Sequence, residues 1–471
     1  DANGDGMPDL FAGQQPLHDP NLGITVHGVA HFALTDQMAV LSSTWILPRD
    51  ADAFTGAAPL ALSDSFGASL AAVSLNGSAG TLLAVGAPGA MDTGAVVLLT
   101  LARTGMIEAA DVIHPSLPAF PHFDMDMTGS EFGAAVTWQP RAVGAGVDAE
   151  LIVGAPGLTY NGMEQHGGVW RVRTLQQGAG NTQPTFVLGS CPGAVSNASG
   201  VHFAGAPASL VTIGEVFHNG QLLLAAGFPS DGVGGQVLIR SALEGVSLHK
   251  ATPSLTINAP ALELPLSVLQ FGASMSSFVV AGGLQLFVGA PGTGCLSEPG
   301  NPASMLSGCG AVYQVTIAAN GAAGGTLAVS SIHAVASPAA PVPAGDERFG
   351  TGVAAVGHPF NASQTALAVA VHGQGTIHIF SDQGPTAVFS AVSVLSGLGP
   401  GGSSAPNIGA GLVALQRFRG SGARKITLAA SMSDSPVAHA IIALIEVSSS
   451  FQVMAVAHIS PAQPSFTPFL P

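Results

Sequence analysis

The first nine residues, Asp1-Ala2-Asn3-Gly4-Asp5-Gly6-Met7-Pro8-Asp9, carry the pattern with the clearest chemistry in the chain. Oxygen-bearing side chains stand at alternate positions, and Gly6 permits a sharp turn between them. Calcium takes six to eight oxygens at about 2.3–2.6 Å, and a short loop curling around the ion presents them at this alternation. Asp1, Asn3, Asp5 and Asp9 are expected to coordinate one calcium ion through their side chains, and Met7 through its carbonyl. Three carboxylates balance the dication. Magnesium fits less well, because it prefers a tight octahedron with retained waters.

The rest of the chemistry-bearing residues form no catalytic signature. There is no Gly-x-Ser-x-Gly elbow, no His-Glu-x-x-His and no Gly-x-x-x-x-Gly-Lys-Ser/Thr loop. On this ground no catalytic residues are assigned, and the chain is expected not to be an enzyme. The 15 histidines are scattered; His114 with His122, and His358 with His372, are spaced like strand or turn residues of separate units. Asp124 and Asp126 with Glu131 read as a solvated turn or a second acidic site. Asp346-Glu347-Arg348 reads as a polar cap before Phe349 or an acid/base cluster. The glycine-rich stretch Gly399 to Ser404 is a poor phosphate cradle, since no helix follows it. Cys295 and Cys309 share one Gly/Pro/Ser-rich insertion and are expected to staple it as a disulfide, with Cys191 left over. Asn76, Asn197 and Asn361 each open an Asn-x-Ser sequon in a predicted surface turn.

Composition narrows the partners. The net charge is −15, which suits nucleic acid poorly, because phosphate binding wants a basic stripe. Charged residues make up only 8%, against roughly 25% in ordinary soluble domains. So charge-poor a surface stays soluble through N-linked glycans or a covering protein partner. No apolar run is long enough to span a bilayer; the best, Ala438 to Ile445, is closed by Glu446. The chain begins at Asp1 with neither an initiating Met nor a signal peptide, so a processed form or a piece of a longer chain is expected. These features point outside the cell, to a secreted or cell-surface protein.

The elements that must hold these residues come from an internal repeat. Phe66-Gly67 is followed by Gly86-Ala87-Pro88, Phe132-Gly133 by Gly154-Ala155-Pro156, and Phe271-Gly272 by Gly289-Ala290-Pro291. Weaker copies sit at Phe203-Ala204 with Gly227-Phe228-Pro229, at Phe349-Gly350 with Leu367 to Ala370, and at Ile408-Gly409 with Leu428 to Ser431. Within a unit, Phe66 to Val73 reads as a first strand and Thr81 to Gly86 as a second, buried on both faces. Gly94 to Thr100 is a third strand, and Ala109 to His114 a more polar fourth. Four short strands separated by turn signals describe one β-propeller blade. Gly and Ala suit inner strands that crowd a narrow channel, Pro ends a strand without an unmet donor, and Phe plugs the gap between blades.

Phe-Gly … Gly-Ala-Pro units at this spacing resemble the FG-GAP repeats of integrin α-subunit propellers. The resemblance covers nearly the whole chain and implies one all-β domain over 1–471, a seven-bladed β-propeller of four-stranded antiparallel blades. Six full units are present plus an N-terminal piece. Blade 1 then spans about 1–61 and blades 2–7 about 62–461. In that family the acidic loop joins the first and second strands of a blade. Leu10 to Gly13 resembles Leu83 to Gly86, so blade 1 starts at its second strand. The matching loops of other blades lack the carboxylate set, so one calcium is expected rather than several. The tail 462–471, through Pro464 to Leu470, is a candidate strand to complete blade 1 or to insert into a neighbouring copy. An extracellular structural or adhesive propeller follows, glycosylated and self-associating into a surface assembly or filament. An accessory propeller of a secreted hydrolase and a carbohydrate-binding module are the alternatives. The three tryptophans, Trp45, Trp138 and Trp170, are read as lying in different blades, which weakens the carbohydrate reading.

Overall fold

The computed structural model describes residues 9–13, 17–19, 24–26, 28–35, 40–48, 65–74, 80–102, 105–115, 125–140, 149–160, 168–175, 185–188, 209–213, 223–229, 234–241, 255–259, 270–280, 283–293, 295–296, 305–306, 309–320, 326–335, 348–357, 365–382, 389–396, 407–415, 426–433, 441–448 and 453–459. Among these residues seven antiparallel sheets stand in a ring, a seven-bladed β-propeller, and three further two-stranded ribbons pair Leu17–Asp19 with Ile24–Val26, Met125–Asp126 with Thr159–Tyr160, and Cys295–Leu296 with Met305–Leu306. In blades 2–7, strands a to d follow one another in the chain and pair in that order. Blade 2 shows the pattern: Ser69–Ser74, Gly80–Ala87, Ala95–Ala102 and Ile107–Ile113. Blade 3 runs from Ala135–Pro140 through Ala149–Ala155 and Gly168–Leu175 to Thr185–Leu188. Blade 4 comprises Ser209–Ile213, Leu223–Phe228, Gln236–Ser241 and Leu255–Asn258. Blade 5 has Ser274–Val280, Gly283–Ala290, Ala311–Asn320 and Thr326–Val335. Blade 6 has Phe349–Gly357, Thr365–Val371, Thr376–Asp382 and Phe389–Leu395. Blade 7 has Asn407–Leu415, Ile426–Ser433, Ile441–Val447 and Val453–Ile459. Strands a of neighbouring blades touch one another, which puts them at the centre of the ring.

Blade 1 has three described strands, Asp9–Gly13, Val29–Leu34 and Val40–Ile46. Asp9–Gly13 occupies the place of a strand b. A Cβ on Gly13 would meet the carbonyl oxygen of Gly67, just as one on Gly86 would meet that of Gly133. The ring closes by packing: Ala30, Phe32 and Leu34 of blade 1 form one core with Ala429, Ile442, Leu444 and Ile459 of blade 7.

The Phe-Gly and Gly-Ala-Pro motifs meet as a joint. Strand b stops at Ala87, Ala155 and Ala290, and the proline after each begins a turn without a donor to satisfy. Each Phe-Gly forms the middle of a tight turn that is closed by the accepting carbonyl of Ser65, Glu131, Gln270 or Arg348, all at positive φ of 50–57°. The glycine follows at φ 89–98°, backbone space that a side chain resists. Gly67, Gly133 and Gly272 donate their N–H to the carbonyls of Gly86, Gly154 and Gly289 in the same blade, at 2.9–3.0 Å. Meanwhile the Phe132, Phe271 and Phe349 N–H groups donate to the preceding blade, at Thr93, Gly234 and Cys309, at 2.9–3.0 Å. One turn therefore ties its own blade and stitches it to the last. Phe66, Phe132, Phe271 and Phe349 are fully buried against the preceding blade's core residues. Ser69 and Ser274, at matching positions, donate across the next seam to the carbonyls of Gly133 and Gly350 at 2.7 and 2.8 Å.

The outermost strands share a second device. In blades 1, 2, 5, 6 and 7, one strand-d residue is skipped by the ladder: Leu41, Glu108, Ser330, Val392 and Met454. A β-bulge twists an edge away from flat pairing with another chain. A protein this poor in charge has few lysines to do that work.

Candidate functional site

The described part of the acidic N-terminal sequence is Asp9, the first residue of blade 1. Asp9 lies opposite Ala33 and Phe11 opposite His31, so Asp9, Phe11 and His31 share the sheet face toward blade 2. The Asp9 Oδ1 sits 3.2 Å from His31 Nε2, with both side chains nearly sealed from solvent. The imidazole stacks on Phe11 at 4.6 Å between centroids. It is roofed by Gly105 of the turn between strands c and d of blade 2, where a Cβ would lie 2.7 Å from the ring. Gly105 has a φ of 75°. Burial of a carboxylate demands a partner, and His31 supplies one that the sequence reading missed. No motif links residues 9 and 31; only the strand pairing brings them together.

Asp1, Asn3, Asp5 and Met7 lie outside the described residues, as do Asn76, Asn197, Asn361 and Cys191. Asp9 alone of the expected ligand set is described. The His31 contact fixes the Asp9 carboxylate in place. Cys309 is disulfide-bonded; the Cys295 side chain is outside the described residues. Among the described residues, no three His, Cys, Asp or Glu side chains gather into a metal site.

The other polar candidates separate. Glu131 and Arg348 occupy equivalent left-handed positions just before the Phe of two joints and are exposed; this gives both a structural place. His114 is half-buried, and desolvation lowers its pKa from the usual histidine value. Trp138 and Trp170 stand in the same blade, not in different ones as read from the sequence. Both are buried in the seam to blade 2, where the Trp138 indole N–H donates to Ala71 O at 2.9 Å. Neither is available to stack on a sugar.

A second buried polar group lies between blades 5 and 6. Gln285, Gln314 and His378 are 7%, 1% and 5% exposed. Gln285 Oε1, both amide atoms of Gln314 and His378 Nδ1 find no hydrogen-bond partner among the described residues. Leaving one buried polar atom unmet costs about 1–3 kcal/mol. Four such atoms would consume a share comparable to a whole domain's stability of about 5–15 kcal/mol.

No protein-family model and no curated protein matches the chain. The chain is similar to a solved structure from Bacteroides fragilis NCTC 9343, called "a putative 6-phosphogluconolactonase", at 10% identity over 97% of this chain and 96% of that one, with a TM-score of 0.49. That protein carries an enzyme's name, which corrects the expectation that this chain is not an enzyme. Missing motifs do not exclude catalysis on a ring, because its chemistry is built from loops of several blades that no linear pattern records. At 10% identity the likeness concerns shape and assigns no residue a role. Among the described residues, no helix is long and apolar enough to cross a membrane.

Proposed function

We propose that this chain is an FG-GAP-type propeller acting outside the cell as a structural or adhesive module that self-associates into a surface assembly or filament. The observation that carries this reading is the joint: Phe-Gly and Gly-Ala-Pro recur because each seam needs a buried Phe, a left-handed glycine and a side-chain-free strand end. A ring stitched this way is a rigid platform, and rigid platforms suit binding through their loops. Glycans on Asn76, Asn197 and Asn361 would offset the low surface charge. One calcium ion, held by Asp1, Asn3, Asp5, Met7 and Asp9, would fix the N-terminal loop against blade 1, with His31 orienting Asp9. The side of Asp9–Gly13 away from Val29–Leu34, unpaired among the described residues, would accept the 462–471 tail, from its own chain or a neighbour's.

The test is assembly of the native, glycosylated chain before and after deletion of Pro464–Pro471, viewed by electron microscopy. Loss or shortening of assemblies is expected, and unchanged particles would sink strand exchange. Calorimetry with calcium and with chelator tests the ion. Calcium at 100 times its Kd stabilises by about 2.7 kcal/mol, and an unmoved melting temperature would remove the site from the reading.

A further inference from the structure

In blades 3, 5 and 6 the third strand presents an aromatic ring to its own joint's Phe. In blade 3 it is Trp170, edge-on to Phe132 at 6.4 Å and 69°. In blade 5 it is Tyr313, edge-on to Phe271 at 5.6 Å and 65°. In blade 6 it is His378, edge-on to Phe349 at 6.0 Å and 75°. A histidine thus stands where blades 3 and 5 carry a larger aromatic. The face of blade 5 that meets it is altered as well. Gln314 lies opposite Phe287, and Gln285 lies two residues from Phe287 on the same strand, so all three share the face toward blade 6. Phe287 packs there with Phe349 and Phe380. Counted from the joints, the equivalents of Gln285 and Gln314 in blade 2 are Leu82 and Leu98, which pack in its apolar seam with blade 3. Three positions in one seam have changed from apolar or aromatic to hydrogen-bonding.

We propose that the seam between blades 5 and 6 is a binding site for internal water, bridging Gln285, Gln314 and His378. The chemistry of the side chains selects the guest. Two carboxamides and an imidazole present donors and acceptors together and no carboxylate. A molecule that both donates and accepts satisfies such a set, whereas a cation would meet the Gln314 NH₂ group and no balancing charge. His378 Nε2 is already 3.2 Å from Thr376 Oγ1, so Nδ1 is the ring atom turned to the guest. Buried waters of this kind make about three hydrogen bonds to otherwise unmet polar groups, and the four atoms here supply that number.

A crystal structure of the full chain, at a resolution that places ordered solvent, tests this directly. Ordered water within hydrogen-bond distance of His378 Nδ1 and of at least one of the two carboxamides is expected. Direct bonds among the three side chains, or a seam without solvent density, would overturn the proposal. A second measurement uses the double variant Gln285→Leu/Gln314→Leu, which copies the leucines of blade 2. If water satisfies the wild-type groups, the variant melts at or below the wild-type temperature. A rise of several degrees would mean that the glutamines lie dry and unmet, and would equally overturn it.

Discussion

The joint makes a quantitative prediction at Gly86. A Cβ there would lie 2.0 Å from Gly133 O and 2.3 Å from Ser69 Oγ. The first obstacle is backbone of the next blade, so it cannot rotate away. Gly86 does not have a left-handed φ, so the cost of Gly86→Ala is steric alone. Relieving the overlap moves blades 2 and 3 apart, at about 1–3 kcal/mol for overpacking. It also breaks the Ser69 hydroxyl bond to Gly133 O, worth about 1 kcal/mol. The expected loss is about 2–4 kcal/mol. At about 2.1 cal/mol/K per residue, a 471-residue chain loses about 1 °C per kcal/mol, so the melting temperature should fall about 2–4 °C. Scanning calorimetry at two scan rates separates this from irreversible unfolding. Gly411→Ala in blade 7 is the control, since its Cβ meets only the Ser431 side chain, at 3.1 Å. Equal losses in the two variants would refute the idea that close backbone approach fixes these glycines.

Other consequences are measurable. Phe132→Ala removes a fully buried ring packed on Trp170 and should cost about 3–5 kcal/mol, read by denaturant unfolding. Ser69→Ala and Ser274→Ala each delete one bond across a seam. Each should cost about 1 kcal/mol, and the double variant should be additive, because distant sites act independently. Burial lowers the pKa of His378 to about 4 from 6.5. The unfolded chain then binds the proton more readily, so the stabilisation is complete above pH 6.5 and is lost as pH falls through about 4. The slope is at most about 1.4 kcal/mol per pH unit, and with solvent screening the total is about 1–2 kcal/mol. His378→Phe, which keeps the edge-on contact, should flatten that part of the profile relative to wild type.

The blades were legible because apolar runs and turn residues carry their own boundaries. The run Thr81 to Gly86, read as the second strand of its unit, lies within strand b of blade 2, Gly80–Ala87. First strands were read less well. Ser69–Ser74 starts three residues after Phe66, because Gly67 turns the chain at a φ of 93° before the ladder begins. The left-handed residue before each Phe was invisible, since Ser65, Glu131, Gln270 and Arg348 share no chemistry; tertiary stitching holds them there. The edge bulges were hidden for the same reason. Of the candidate site, Asp9 was legible in an alternating acidic loop, but His31 was not, because only strand pairing makes them neighbours. Gln285 and Gln314 looked like ordinary polar positions, although they lie inside the ring.

The ring is not equally bonded all the way around. Among the described residues, backbone bridges cross from Gly94 to Phe132, from Gly235 to Phe271 and from Gly310 to Phe349, and blades 1 and 7 meet in an apolar core. Because blades 1 and 7 are the first and last in the chain, their apolar seam is the clasp that closes the ring. Load applied through its two ends meets the clasp first, and apolar contacts peel one after another where stitched seams must shear several hydrogen bonds at once. Single-molecule pulling should register a low-force opening before the higher-force rupture of individual blades. A circularly permuted chain, with its ends moved to the turn between blades 4 and 5, should lose that first event.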